Sequence, residues 1–233
     1  MAKGPLVVEW GNWSLEAPQA GALTRARVEL ENAGTVPWRN GIHLAYHWLD
    51  DRGNPIVWDG LRTGLPPLAP GERATVDARV RAPIPPGRYT FALDLVAELR
   101  AWFSELGSAM AVRELDVAPR RGDRRAFLGN AEPAPGWEEH VAAAHAEGYA
   151  VVAGAVEWAG RRPRSLEPYR PGAGRIPGFA HPLLCPSVLD GAELERLPDV
   201  EGLPAFAAPP DEPWIYDGRA VVRAPRRSGR RHG

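Results

Sequence analysis

The chain has few of the residues and motifs on which several common protein classes depend. Its 233 residues include one cysteine, Cys185, which excludes an intramolecular disulfide and a cysteine-rich metal site. The apolar neighbours Leu183, Leu184 and Pro186 favour a buried structural thiol over a nucleophile. No run of about 18 apolar residues occurs, so the sequence predicts no membrane insertion.

Enzyme motifs are missing as well. No serine or cysteine stands in a nucleophile elbow, and the segments GRIPG and PGAGR lack the Lys-Ser/Thr ending of a phosphate-binding loop. His140 and His145 have no cysteine or third ligand at a zinc-site spacing. We therefore expect no catalytic residue, no metal and no cofactor, and the sequence favours a protein that is not an enzyme.

Charge is also scarce, because the formal net charge is −1. A chain with this balance has no electrostatic basis for binding nucleic acid or an anionic membrane. The N-terminal segment MAKGPLVVEW lacks the features of a cleaved signal peptide, so a cytoplasmic location is expected. The arginine-rich residues 223–233 are predicted to be a disordered basic tail, with a phosphate or an acidic partner as the alternative.

Proline and glycine are abundant, at 25 residues each, and tryptophan occurs nine times. Many turns between short patterned segments indicate a mainly β protein. Residues 5–117 show at least seven such segments, for example Ala26, Val28 and Leu30 alternating with charged residues. This spacing is typical of an immunoglobulin-like antiparallel β-sandwich, and the stretch from Ala109 to Val117 is predicted to be an edge strand.

The segment from Gly41 to Pro66 is predicted to be a β-hairpin that turns at residues 50–54. Its Ile42, Leu44, Tyr46 and Trp48 share one face and are expected in the core. His43 and His47 share the other face about 13 Å apart, too far for one metal ion. We expect these histidines to be solvent-exposed or cross-strand partners.

Tryptophan next to charged residues suggests carbohydrate binding, because an indole face stacks on a sugar while Asp and Arg bind its hydroxyls. The candidate ligand-binding residues are Trp58, Asp59, Arg62 and His47. A core role is the alternative for tryptophan and is favoured for Trp48. Asp59 and Arg62 could instead form only a local ion pair.

The second half is predicted to be small, loop-rich and α+β. Residues 118–135 read as a linker, and residues 136–222 as a small α/β segment. A helix is predicted from Trp137 to Glu147 with Gly148 as its stop, followed by a buried strand in YAVVAGAVEW. Residues 214–222 indicate a hairpin turning at Asp217-Gly218. Loop solvation and this turn explain Asp211, Glu212 and Asp217 better than catalysis does.

Residues 5–117 resemble a family of bacterial immunoglobulin-like accessory domains. The resemblance lies in NAGTVPW, YHWLDDRGNPIVWDGLRTGLP, LAPGERATV, APIPPGRYTFALDLV and AWFSELG. Such domains accompany glycosyltransferases and methyltransferases of cell-surface polysaccharide synthesis and are similar in architecture to the polysaccharide-binding domain of O-antigen exporters. The sequence departs from the family in DLVAELRAWF, where a glycine is expected soon after the glutamate.

Residues 136–190 resemble, more loosely, part of a family-2 glycosyltransferase, through HVAAAHAEGYAVVAGAVEW and RPGAGRIPGFAHPLLCPS. An intact transferase needs a longer chain and an Asp-x-Asp metal motif. Together the resemblances imply a non-catalytic carbohydrate-binding or enzyme-docking module in bacterial polysaccharide assembly. Its partner would be a polysaccharide, a glycosyltransferase or a methyltransferase. The alternatives are a degenerate or split nucleotide-sugar glycosyltransferase and a purely structural interaction domain.

Overall fold

A computed structural model describes residues 4–160, 172, 174–176, 181–189 and 191–225. The chain divides into two compact units, residues 1–118 and 119–233. Each unit has its own hydrophobic core.

The first unit is built from nine strands and one short 3-10 helix at Ser104–Leu106. The strands are β1 (Val8–Leu15), β2 (Leu23–Asn32), β3 (Ile42–Leu49), β4 (Pro55–Val57), β5 (Thr63–Gly64), β6 (Arg73–Arg81), β7 (Gly87–Ala97), β8 (Ala101–Trp102) and β9 (Ala111–Val117).

These strands form two antiparallel sheets. One has the order β1-β2-β6. In the other sheet, β3 pairs with β7 at the centre. The second edge of β3 pairs with β4 and β5, and the second edge of β7 pairs with β8 and β9. Tyr89 near the start of β7 donates a hydrogen bond from its hydroxyl to the Pro85 carbonyl at 2.7 Å, as in a tyrosine corner. The first unit is an immunoglobulin-like β-sandwich, as the alternating pattern predicted.

The core lies between the two sheets, where inward residues alternate with outward ones. Leu44, Tyr46 and Trp48 of β3 are buried there, which confirms their predicted face, while Ile42 is half-buried. Trp48 packs on Phe91 with ring centroids 4.7 Å apart and donates from Nε1 to the Arg81 carbonyl of the opposite sheet at 3.0 Å.

The predicted hairpin is present, and the Asp50 side chain organises its turn. Asp50 Oδ1 accepts from the backbone N–H groups of Arg52 at 2.9 Å and Asn54 at 2.7 Å. The Asn54 side chain also donates to Asp50 Oδ2 at 2.8 Å. This side-chain bond, followed by the backbone bonds, lowers the pKa of the Asp50 carboxyl. Gly53 has φ +81°, a conformation that glycine adopts without a Cβ penalty. The returning arm of the hairpin pairs with β3 in β4 and again in β5, and this strand pairing is interrupted between them.

The second unit contains the helix α1 (Trp137–Glu147) and nine described strands. The strands are β10 (Arg124–Ala126), β11 (Glu132–Pro133), β12 (Val151–Glu157), β13 (Arg175–Ile176), β14 (Leu183–Leu184), β15 (Ser187–Leu189), β16 (Arg196–Val200), β17 (Leu203–Phe206) and β18 (Trp214–Arg223). One sheet has the order β10-β15-β12-β18-β11, with β13 also paired to β18, and a second sheet has the order β14-β17-β16.

The helix and the buried strand β12 agree with the sequence prediction. The inward residues of α1 are Trp137, Val141, Ala144 and His145. Gly148 follows with φ +126°, and its N–H is directed at the carbonyls of Ala144 and His145. The helix therefore stops at the glycine that the sequence indicated.

Two local predictions for the second half do not hold, and the first residue of the predicted basic tail lies in a strand. Residues 214–222 form one continuous strand, because neither Asp217 nor Gly218 has the positive φ that a type I′ turn requires. Within the predicted linker 118–135, β10 and β11 pair with β15 and β18. Arg223, placed in the basic tail, ends β18, and residues 226–233 lie outside the described part of the chain.

Within the described ranges, no helix has the length and apolar character needed to cross a bilayer.

Candidate binding site

The interrupted return arm of the hairpin lies against the edge of β3 and carries the candidate residues. The Gly60 N–H donates to the Tyr46 carbonyl at 3.1 Å, and a Cβ on Gly60 would lie 2.5 Å from Tyr46 Cε2. Only a residue without a side chain allows this close approach. Gly60 thus holds the segment from Trp58 to Arg62 against the sheet.

Three aromatic rings form a cluster on the outer face of this sheet, which we call the aromatic cluster: His47, Trp58 and Trp102. The rings of His47 and Trp58 are stacked, with centroids 4.0 Å apart and planes 16° from parallel. Trp102 meets His47 edge-on at 4.6 Å and Trp58 at 6.1 Å. Trp58 remains 40% exposed, whereas His47 is fully buried. His47 therefore covers one face of the Trp58 indole, while 40% of the residue stays exposed to a ligand.

His47 is buried and supports Trp58, so of the two positions expected for it, solvent-exposed or cross-strand partner, the exposed one does not hold. Its Nδ1 contacts the Trp58 carbonyl oxygen, where a ring N–H donates, and its Nε2 lies 3.6 Å from Asp94 Oδ2. Because it is covered by Trp58, His47 orients that residue and does not itself reach a ligand. The structure thus places His47, which was predicted as a ligand-binding residue, beneath Trp58 and not at the surface of the site.

Asp94 lies on the outer face of β7, yet it is fully buried. The segment after β8 covers it, since Ser104 Oγ donates to Asp94 Oδ2 at 2.5 Å. Its other oxygen accepts from the Leu95 N–H at 2.7 Å. The hydrogen bonds compensate for the burial of a carboxylate.

Arg62 joins the aromatic cluster to two carboxylates. Its Nε donates to Glu98 Oε1 at 2.8 Å, and its Nη1 forms an ion pair with Asp59. The guanidinium carbon lies 4.9 Å from the centre of the Trp102 ring, a cation–π distance. His43 Nδ1 is 3.3 Å from the same Glu98 oxygen. The structure thus brings Trp58, Asp59 and Arg62 together around the aromatic cluster.

The sequence suggested Trp102 as one of several tryptophans for carbohydrate binding but did not place the turn between β7 and β8 beside Trp58. Glu98 and Trp102 lie far along the chain from Trp58, and no local pattern joins them. The register supplies the link, because His43 pairs with Val96 and Val96 pairs with Trp102. Antiparallel pairing of the two predicted strands was the signal that could have placed Trp102 beside the histidines.

The described carboxylates of the second unit do not form a comparable site. Burial raises the pKa of Asp217, but hydrogen bonds from Arg219 outweigh it, and the net pKa is below its ordinary value. Arg219 binds both carboxylate oxygens, at 2.8 and 2.7 Å. Glu212 pairs with Arg120 at 3.5 Å. No group of three metal-ligating side chains occurs among the residues described.

Cys185 and His145 of the second unit are buried, at 1% and 2% exposure. Burial raises the pKa of the Cys185 thiol to about 12, which suppresses the reactive thiolate. His145 bridges the Tyr149 carbonyl through Nδ1 at 2.7 Å and the Ser187 hydroxyl through Nε2 at 3.0 Å. Both residues are packed inside the unit, which agrees with a structural thiol at Cys185.

The chain matches no protein-family model and no curated protein. Among solved structures, the CARDB domain of a Pyrococcus furiosus protein is similar over 50% of this chain and 97% of its own, with 17% identity and a TM-score of 0.30. A Salmonella alpha-2-macroglobulin mutant shares 18% identity over 57% of this chain and 8% of its own, with a TM-score of 0.30. A PapD-like domain of human CEP192 shares 18% identity over 50% of this chain and 88% of its own, with a TM-score of 0.24.

These identities and TM-scores are too low to carry an argument about function. The fold assignment rests on the strand pairing described above. By that pairing the first unit is an immunoglobulin-like β-sandwich with a candidate binding site on the outer face of its larger sheet. The described part of the second unit has one parallel strand pair, β12 with β18, whereas nucleotide-binding α/β sheets are mostly parallel.

Proposed function

We propose that the first unit is a non-catalytic module that binds carbohydrate through Trp58, Asp59 and Arg62 in bacterial cell-surface polysaccharide assembly. The observation that carries the proposal is the half-covered Trp58 ring, which stacks on buried His47 at 4.0 Å and is 40% exposed. The exposed part of an aromatic side chain offers apolar surface on which a sugar ring can stack. The assembly role is supported by the resemblance of residues 5–117 to polysaccharide-associated accessory domains.

Polar groups stand beside the Trp58 ring. The Asp59 side chain is 68% exposed and the Arg62 side chain 28% exposed, and the two form an ion pair. Carboxylate oxygens accept hydrogen bonds from sugar hydroxyls, and guanidinium N–H groups donate to them. Because the ion pair already fixes both side chains, less conformational entropy is lost when a ligand binds.

The test is a calorimetric titration of the full chain with a panel of bacterial surface polysaccharides. Trp58→Ala is expected to weaken binding about tenfold or more, equivalent to about 1.4 kcal/mol. Trp10→Ala is the matched control, since Trp10 is a half-buried tryptophan of the β1-β2-β6 sheet. Equal affinities for the two variants, or no binding of any polysaccharide by the unchanged protein, would contradict the proposal.

Docking of an enzyme partner is the second candidate function, and exposed leucines favour it. Leu61 and Leu106 are 42% and 51% exposed, and Leu99 is fully exposed. All three belong to the segments that carry Trp58 and Trp102. Co-purification with a glycosyltransferase or methyltransferase encoded nearby, abolished by Leu61→Asp and insensitive to added glycan, would support docking over carbohydrate binding.

A further inference from the structure

We propose that the carbohydrate site of the first unit accepts uncharged or cationic glycans and discriminates against polyanionic ones, with Asp59 as the residue that sets this selectivity. The inference rests on the proposed function of the same site and adds the chemical class of glycan.

Carboxylates outnumber guanidinium groups around the aromatic cluster. Asp59, Glu98 and buried Asp94 lie on or beside the outer sheet face, and Glu105 accepts from the Trp102 N–H at 3.2 Å. The guanidinium groups are Arg62 and the exposed Arg100 of the same turn as Glu98. Four carboxylates against two guanidinium groups leave a formal excess of two negative charges.

The guanidinium nearest to Trp58 is already committed to partners inside the protein. Arg62 donates from Nε to Glu98 at 2.8 Å and from Nη1 to the Gly60 carbonyl at 3.0 Å, and it is paired with Asp59. Because Nε and Nη1 already have protein partners, a sugar carboxylate or phosphate would compete with Glu98 and Asp59 for this guanidinium. Arg62 therefore holds the two protein carboxylates at the site and is a weaker anion receptor than an arginine without such partners.

Asp59 is the most exposed of the carboxylates paired with Arg62, at 68% against 37% for Glu98. Next to Trp58 in the chain, it presents exposed acceptor oxygens to an incoming ligand. Hydroxyl and ammonium groups donate to such oxygens, whereas a uronate carboxylate has only acceptors to offer. Like charges brought together at a binding interface weaken the complex.

This selectivity has to arise locally. The net charge of the whole chain is −1, too small to repel a polyanion from a distance. At 0.1 M salt, charges interact over about 10 Å, which confines the effect to groups around the site. Removing one charge at Asp59 should therefore act on selectivity far more than removing one elsewhere.

The experiment compares one polysaccharide backbone in three charge states. Dextran and mannan, each neutral, carboxymethylated and aminated, are titrated into the full chain at about 0.05 M salt. We expect the carboxymethylated form to bind at least tenfold more weakly than the neutral form of the same backbone, with a smaller ratio at higher salt. Asp59→Asn should reduce that ratio several-fold.

Asp77→Asn is the matched control. Asp77 is 69% exposed and paired with Arg27, on the β1-β2-β6 sheet. The substitution Asp77→Asn removes the same charge from an equally exposed ion pair away from the aromatic cluster. It should leave the ratio of neutral to carboxymethylated binding unchanged. Melting temperatures within a degree or two of the unchanged protein would show that both variants fold, as expected for exposed ion pairs.

The outcomes separate the two proposals. Equal or tighter binding of the carboxymethylated form, or the same ratio in Asp59→Asn and Asp77→Asn, would overturn the selectivity and leave carbohydrate binding intact. If no form of either backbone and no surface polysaccharide bound, the proposed function itself would fail, and the selectivity with it.

Discussion

Leu99 is the residue at which the protein departs most clearly from the expected backbone chemistry. It follows Glu98, where the resemblance to accessory domains led us to expect a glycine, and it has φ +58° with its side chain fully exposed. The left-handed conformation costs an L-residue about 1–2 kcal/mol. The expected glycine therefore has a physical reason, which is the turn between β7 and β8.

We expect Leu99→Gly to stabilise the first unit by about 1 kcal/mol, because glycine adopts a positive φ without the Cβ penalty. The net gain is below the full strain because glycine also loses more entropy on folding. Chemical denaturation of both proteins measures the difference in the free energy of unfolding.

Leu106→Gly is the comparison for this prediction. Leu106 is also exposed, but it ends the 3-10 helix and does not have a positive φ. The same replacement there should lower stability by roughly 0.5–1 kcal/mol. Two changes of the same sign would show that the backbone of Leu99 is not the origin of the effect.

At the scale of elements, the return arm of the hairpin joins fold and site. Pairing of β3 with β4 and β5 leaves the segment from Trp58 to Arg62 between them, pressed against β3 through Gly60. The strands and their inward faces were predictable, since alternation depends on neighbours in sequence. The burial of His47 and Asp94 was not, because it comes from segments that fold over the outer face.

We expect Gly60→Ala to displace this segment, since the new Cβ would lie 2.5 Å from the Tyr46 ring. The stack of Trp58 on His47 should loosen, which reduces the near-ultraviolet circular dichroism of the aromatic cluster and weakens the carbohydrate binding that we propose for this site. Gly64→Ala is the matched control, because no atom lies within 4 Å of a Cβ at Gly64. An unchanged spectrum and unchanged affinity in Gly60→Ala would refute the role of the close approach.

The same limit of local patterns explains the incorrect hairpin at residues 214–222. Asp-Gly is a strong turn signal in isolation. In the protein, β18 pairs with β12, β13 and β11, and Arg219 binds the Asp217 carboxylate. Pairing with strands distant in sequence overrides the local preference of two residues.

At the scale of the whole molecule, stability is divided between two units with separate cores. The core that contains Trp48 lies entirely within residues 1–118, and those that contain Trp137 and Phe206 lie within residues 119–233. Changes in the environment of one buried group should therefore act on one unit. His145 provides such a group in the second unit.

We expect acid to destabilise the second unit through His145. Burial, the largest influence, lowers the pKa of His145 to about 4 from an ordinary value of 6.5. The unfolded chain then binds more protons between these values, so stability is complete above about pH 6.5 and falls as pH decreases toward 4. The loss can reach about 3 kcal/mol, at about 1.4 kcal/mol per pKa unit.

Calorimetric unfolding at several pH values between 7 and 4 measures this dependence. His145→Gln keeps a hydrogen-bonding side chain that does not titrate, and its stability should fall less steeply with acid. His140→Gln, one turn earlier on α1 at a half-buried position, should retain the slope of the unchanged protein. A single slope shared by all three proteins would rule out His145 as the source.

The covered outer face of the larger sheet also has an evolutionary consequence. His47 and Asp94 are buried there under Trp58, Trp102 and Ser104. A lineage that abandoned its ligand would still be under selection to keep this packing, since an uncovered pair of polar groups would destabilise the domain. Invariance of His47 and Asp94 among relatives would therefore indicate selection for the fold. Variation at Asp59 would instead indicate a change in the proposed ligand specificity.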